Sequence, residues 1–264
     1  MNKIVVDKEN LERVNVNSNI TVKFELRKSL FDISILSIDI KDNNDLYIYI
    51  NSDTTKLKIN INNHSNSFSN LYIITTGSNA KIGYNYNIDE NSNVSVIKYN
   101  RVDNIKEMVS VNLNGYESKI DYLFKSIGIK KESYDYAIFH NHKNTISNIK
   151  NHGVNVSGSM AIQISSSIDK NITDCTCNQF NRIINLTNNK CEIRPILYID
   201  NEEVNANHSA LIGDFEEEEL FYLQSRGISK KDAYNLLIKG FLNSGIDDND
   251  IKKQIEDDLY KYWR

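Results

Sequence analysis

Two cysteines two positions apart, Cys175 and Cys177 in TDCTCN, are the first place where side chains of this chain could do chemistry together. On a strand, residues i and i+2 share a face, so both thiols would project the same way, close enough for joint thiolate ligation of a soft metal centre. Two small residues inside a packed coil would show the same spacing, and both readings stand. Cys191, in NNKCEI four residues before Pro195, is a third thiol in a loop-like setting. His208 stands just ahead of the first helical pattern. Its neutral imidazole could bind iron, or could satisfy a turn carbonyl or a helix N-terminus. His140 and His142 flank Asn141, and alternation would put both on one strand face, where they could bind a metal or bond a turn. His64 and His152 stand in polar stretches and read as solvent-exposed.

Other chemistries lack their residues. No Gly-rich phosphate loop and no nucleophilic serine elbow occurs, so the chain is not expected to be an enzyme. The acidic run Glu216 to Glu219 is explained by its place in the positive first turn of a helix. Net charge is -4 and the pI about 5.8, with Lys and Arg dispersed, so nucleic acid is not an expected partner. No stretch reaches the ~20 apolar residues of a membrane span, and MNKIVVDKENLERV lacks the apolar core of a secretion signal. The expectation is a cytoplasmic protein with no membrane partner. Three cysteines, an odd set, argue against a disulfide framework.

The elements that must position these residues change character once. From TVKFEL through DISILSIDI, DLYIYI, KLKININ, LYIITT, AKIGYNYN, NVSVIKYN, VSVNLN, SKIDYLF and SYDYAIF, apolar residues alternate in short runs. The series continues through VNVSG, MAIQISSS, RIINL and IRPILYID to EEVNANH. Such runs, recurring roughly every 10 to 12 residues with Asn, Asp, Ser and Gly between them, predict strands of a sandwich, barrel or solenoid. Pro195 belongs at a strand start or edge.

Beyond Val204 the period becomes helical. Asp214 is placed to cap a first helix, which Arg226 and Gly227 close. Ser229 with Asp232 opens a second, whose buried side is Ala233, Leu236, Leu237, Ile238 and Phe241. Ile251, Ile255, Leu259 and Trp263 mark a third, beginning near Asp247 or Asp248. The chain divides into an N-terminal arm over 1–20, a strand body over 21–210 and a helical unit over 211–264.

Several stretches resemble one family in order along the C-terminal half. NHSALIGDFEEEELFYLQSRGIS looks like the end of SufB/SufD proteins. FHNHKNTISN, from Phe139 to Asn148, is similar to their H-N-x-P-N-T-x-S-N segment, and TDCTCNQFNRIINL followed by IRPILYI resembles their later ladder. The resemblance implies a mainly β fold, a right-handed parallel β-helix body with a C-terminal α-helical unit, where periodicity alone leaves an antiparallel sandwich open. It implies a subunit of a cytosolic SUF-type assembly complex that holds an iron–sulfur cluster or iron transiently. The expected partners are a SufC-like ABC ATPase, which supplies ATP hydrolysis, and a second SufB/SufD-type subunit or a second copy of the chain.

Residue by residue, His208 matches the family histidine at the place where cluster or metal is held between two scaffold subunits. Leu220, Phe221, Tyr222, Arg226, Gly227 and Ile228 fall in the surface on which SufC docks; the alternative for Phe221 and Leu223 is core. Ser209 and the segment ALIG lean toward the D-like branch. The family's SufB-type cluster cysteine falls near Asn181, which cannot ligate as a thiolate. That departure keeps an interaction subunit without its own cluster as an alternative, and the strand series alone also suits a β-helical carbohydrate-active enzyme.

Overall fold

The computed structural model describes residues 2–7, 10–14, 20–25, 33–52 and 55–262. Its strands are β1 (Asn2–Asp7), β2 (Asn10–Val14), β3 (Ile20–Glu25), β4 (Ser34–Ile40), β5 (Asn44–Ser52), β6 (Thr55–Asn63), β7 (Phe68–Ile88) and β8 (Asn93–Leu113). They continue as β9 (Lys119–Gly128), β10 (Lys131–His140), β11 (Ile146–Asn155), β12 (Ser159–Ile168), β13 (Cys175–Asn185), β14 (Cys191–Ile199) and β15 (Val204–Gly213). Three helices follow: α1 (Glu217–Ser225), α2 (Lys230–Asn243) and α3 (Asn249–Tyr262).

The chain winds into a β-solenoid of about 7 turns. One sheet runs β5, β7, β8, β9, β11, β13, β15, and the other runs β4, β6, β7, β8, β10, β12, β14, all in parallel pairing. Parallel neighbours here need no helical crossover, because each turn of the coil stacks on the last. LYIITT and AKIGYNYN are one strand, β7, that bends from one sheet into the other, and NVSVIKYN and VSVNLN likewise form β8. The strand ending in VNVSG begins earlier than its apolar run, at Ile146. At the start of the chain β1 joins β5 in parallel and β2 in antiparallel pairing, and β3 is antiparallel to β4.

Asparagine and aspartate build the corners. Asn66, Asn91, Glu117, Asn144 and Asp174 occupy one corner of successive turns with φ between 54° and 64°. Asn and Asp tolerate that left-handed backbone better than other non-glycine residues. Along the outer face Asp45 accepts from Asn70, Asp121 from Asn148, Asn148 from Asn178 and Asn178 from Asn207, so each turn bonds the next through side chains. The step grows from 25 residues at Asp45–Asn70 to 27 at Asp121–Asn148 and 30 at Asn148–Asn178. Turns also touch closely at Gly158, where an added Cβ would meet the Lys130 carbonyl oxygen at 1.8 Å.

Inside the coil Ile, Leu, Val and Tyr fill the alternating inward positions. A second apolar cluster lies outside it, where Ile238 and Leu242 of α2 with Ile251 and Ile255 of α3 cover Ile74, Tyr99, Ile127, Val154 and Ile184. Leu236 turns the other way and is exposed, because the buried stripe of α2 runs through Ala233, Ile238 and Leu242. Leu259 packs at the margin of the same cluster; Trp263 lies outside the described residues. The first helix is capped by Glu216 rather than Asp214: the Glu216 N–H donates to the Glu219 carboxylate at 3.1 Å. Asp214 instead accepts from the Phe215 N–H and the Tyr234 hydroxyl. Ser229 Oγ accepts from the Asp232 N–H, capping α2.

Candidate functional site

The solenoid has an open end. Among the described residues β14 pairs only with β12, and β15 only with β13, so each presents an unpaired edge. On β15 the row Ile149, Gln179, His208 runs across three turns in register. Ile149 and Gln179 are buried, whereas His208, in the same inward row of the last turn, is exposed because no further turn covers it. Leu211 and Ile212 beside it are 49% and 40% exposed. Pro195 sits on edge strand β14, opposite Ile164, where a missing N–H costs no ladder bond to a further strand.

Cys175 and Cys177 share the inward face of β13 and are both fully buried, packed with Ile168 and against Leu197, Ile199, Val204 and Ala206. Cys175 Sγ lies 3.2 Å from Thr145 Oγ1. Burial pushes the Cys177 thiol up, so it stays protonated where a ligand would need thiolate. Cys191 begins β14 and packs against the main core, apart from the other two cysteines, and burial raises its thiol as well. Among the described residues no three His, Cys, Asp or Glu side chains come together in a metal-holding group. Asn181 is buried, joined to Asn151 and to the Ser209 carbonyl on β15.

The other histidines separate. His140 ends β10 and is buried, with Nδ1 2.7 Å from Thr145 Oγ1 and Nε2 2.9 Å from Ser147 Oγ; burial lowers its pKa to about 4. His142 lies in the following turn against Tyr116, so the two do not share a strand face, because the strand stops at His140. His152 is not exposed in a loop but sits on β11 beneath α2, stacked on Phe241. Flanking Asn, Lys and Gly hide that strand's apolar pattern in the sequence. His64 is half-exposed between Asp39 and Asp89, 3.7 Å from each.

On α1, Leu220 is buried, while Phe221 and Tyr222 are 73% and 59% exposed. Arg226, the C-cap, lies 5.5 Å over the Tyr222 ring, and Gly227 follows with φ +82°. Ile228 is half-buried. An aromatic pair with an arginine is therefore presented outward from a short helix anchored by Leu220 and Phe215. What sequence reasoning missed is the exposed edge itself; its signal is that β15 is the last alternating run, with no strand after it to stack on.

A family model described as "SUF system FeS cluster assembly, SufBD core domain" matches residues 58–241. The chain is similar to the iron–sulfur cluster assembly protein SufD of Bacillus subtilis (strain 168), 32% identical over 133 residues that cover 48% of this chain and 30% of that protein. It is also similar to SufD of Escherichia coli (strain K12), 34% identical over 67 residues covering 24% and 16%. A SufBD family protein of Pyrococcus horikoshii is 44% identical over 55 residues, covering 21% and 12%. The matched stretches thus span less than a third of these relatives. No helix among the described residues is long and apolar enough to cross a membrane. With more than half of its length, from within β6 to within α2, under the family model, this chain belongs to the SufBD core family.

Proposed function

We propose that this chain serves iron–sulfur cluster assembly as a non-enzymatic scaffold subunit of a cytoplasmic SUF-type complex. The observation that carries the reading is the family match together with an exposed histidine, His208, at an unpaired solenoid end. An edge strand with exposed Leu211 and Ile212 is suited to pairing with the like edge of a second SufB/SufD-type subunit or a second copy. His208 would then face the joint and give one ligand to iron or a cluster as cargo. The burial of Cys175 and Cys177 and the amide at Asn181 favour a D-like share of that site, with the thiolate ligands supplied by the other subunit. Phe221, Tyr222 and Arg226 form the face offered to a SufC-like ATPase, since exposed aromatics beside arginine are typical anchors of protein interfaces.

The test is anaerobic co-expression with the SufC-like ATPase and SufB/SufD-type protein of the same genome, with iron and sulfide measured on the purified complex. The expected outcome is a complex whose iron content falls at least severalfold in His208→Ala without loss of subunits. Equal iron in both, with the complex intact, removes the ligand role and leaves an interaction subunit.

A further inference from the structure

A basic stripe on the outer face of the second sheet plays no part in the assembly reading. Lys56, Lys81 and Lys106 are in-register partners on β6, β7 and β8. Their side chains therefore leave one face at the strand spacing of about 4.8 Å. One row across, Asn79, Asn104 and Lys131 are likewise in register, and Asn104 Nδ2 donates to Asn79 Oδ1 at 3.1 Å. With Ser133 they line a groove of about 490 Å³ whose described lining residues include no Asp or Glu.

Like charges directly opposite on neighbouring strands repel, so the stripe costs the fold free energy. Farther along this face a stacked row is mutually bonded without like charges, the ladder from Asp39 to Asn62, Asn87 and Asn112. Three of the carboxylates close by in the chain are engaged elsewhere, and Asp135 lies outside the groove's described lining. Glu107 is buried with Lys98, Glu132 is buried with Ser126, and Asp103 is held by Arg101 and Lys130. Among the described residues none pairs with Lys81, Lys106 or Lys131. The chain as a whole is acidic, which makes the stripe the local exception.

We propose that this groove is a binding site for a small polyanion, a molecule bearing two or more phosphate groups. Ammonium groups at Lys81, Lys106 and Lys131 neutralise the phosphates, and the second N–H of the Asn104 amide and the Ser133 hydroxyl give further donors. The groove has the size of a small-molecule site. It adjoins a second groove at Lys81, lined by Ile33, Gly83 and Met108 with Asp135 on its wall, which leaves room for a less polar remainder of the ligand.

The experiment is calorimetric titration of inorganic tripolyphosphate into the full chain at low salt. The expected result is saturable 1:1 binding that weakens at least tenfold in Lys81→Gln/Lys106→Gln and is unchanged in Lys252→Gln/Lys253→Gln, which removes the same charge from α3. Thermal unfolding without ligand checks that both variants fold; relief of the like-charge rungs leaves the stripe variant at least as stable as the parent. No saturable binding, or equal weakening in both double variants, overturns the proposal. Tighter binding of polyglutamate than of tripolyphosphate, with the same lysine dependence, overturns it in favour of an acidic protein partner.

Discussion

Inside the coil, ionisable side chains are placed one by one among aromatic rings. Lys98 Nζ bonds Glu107 and lies 3.7 Å over the Tyr84 ring; burial pulls its pKa down to about 8 against the pull of Glu107. Glu132 faces the same interior, accepting from Ser126 Oγ at 2.7 Å, with Arg101, Glu107 and Tyr134 around it. Burial raises its pKa from 4.5 to about 7. Between those values the folded chain binds more protons than the unfolded one, so the contribution of Glu132 to stability falls as pH rises across that window. Glu132→Gln keeps the acceptor for Ser126 and cannot ionise. Its stability relative to the parent should rise by roughly 3 kcal/mol from pH 5 to pH 8 in urea unfolding. A difference independent of pH would show that Glu132 is already ionised in the fold. His140 works in the opposite sense, since its depressed pKa removes stability as pH falls from 6.5 toward 4. The parent's own profile mixes the two, which is why the variant difference is the quantity to measure.

Helices of this chain hold to the solenoid through specific polar pegs as well as apolar area. Tyr47 and Tyr49 donate to Asp248 and Asp250 at the start of α3, and Tyr99 donates to Asp258 within it. Lys125, on β9, closes the other end of α2: its Nζ donates to the Phe241 carbonyl and Ser244 Oγ and meets His152 Nδ1 at 2.7 Å. Burial, then neighbouring Lys150, lowers the Lys125 pKa to about 7, and burial with Lys125, Lys150 and Arg182 holds His152 down near 3, so its ring is neutral and can accept. Lys125→Met should cost about 2 kcal/mol of local stability. Hydrogen exchange would show it as faster exchange in α2 with β8 to β11 unchanged; unchanged protection in α2 refutes the latch. The short α1 exposes Phe221, Tyr222 and Arg226. Phe221→Ala with Arg226→Ala should weaken capture of the SufC-like ATPase at least tenfold while circular dichroism stays native. Undiminished capture would move the docking face elsewhere.

As a whole molecule, the solenoid is a stack in which each turn is held by its two neighbours. The turn at β14 and β15 has a neighbour on one side only, and its inward residues are partly open. Amide protection should therefore be greatest in β7 to β9 and fall through β13 to β15, with the last strands gaining protection when the second subunit binds. Flat protection along the axis would mean that the end strands are held by something other than stacking.

Strand runs, helix positions and the Asn-rich corners are legible in the amino-acid sequence because period and left-handed tolerance are local properties. The alternation at Cys175 and Cys177 is local too, and by itself puts both thiols on one face. Coil against sandwich is not legible from period, since both give short strands at similar intervals; the family resemblance decides it. Asp214 as cap, Leu236 as buried and His152 as exposed each fail for one reason. Which neighbour a side chain meets depends on how turns stack and where helices land. Lys56, Lys81 and Lys106 stand 25 residues apart in the sequence, yet only the 25-residue coil makes them one stripe. His208 reads as one histidine before a helix, and only the ending of the stack leaves it exposed at an edge. Sequence alone thus determined the elements, which follow from interactions within a few residues. Tertiary structure alone decided what lies beside what, because stacking brings together residues a full turn of chain apart.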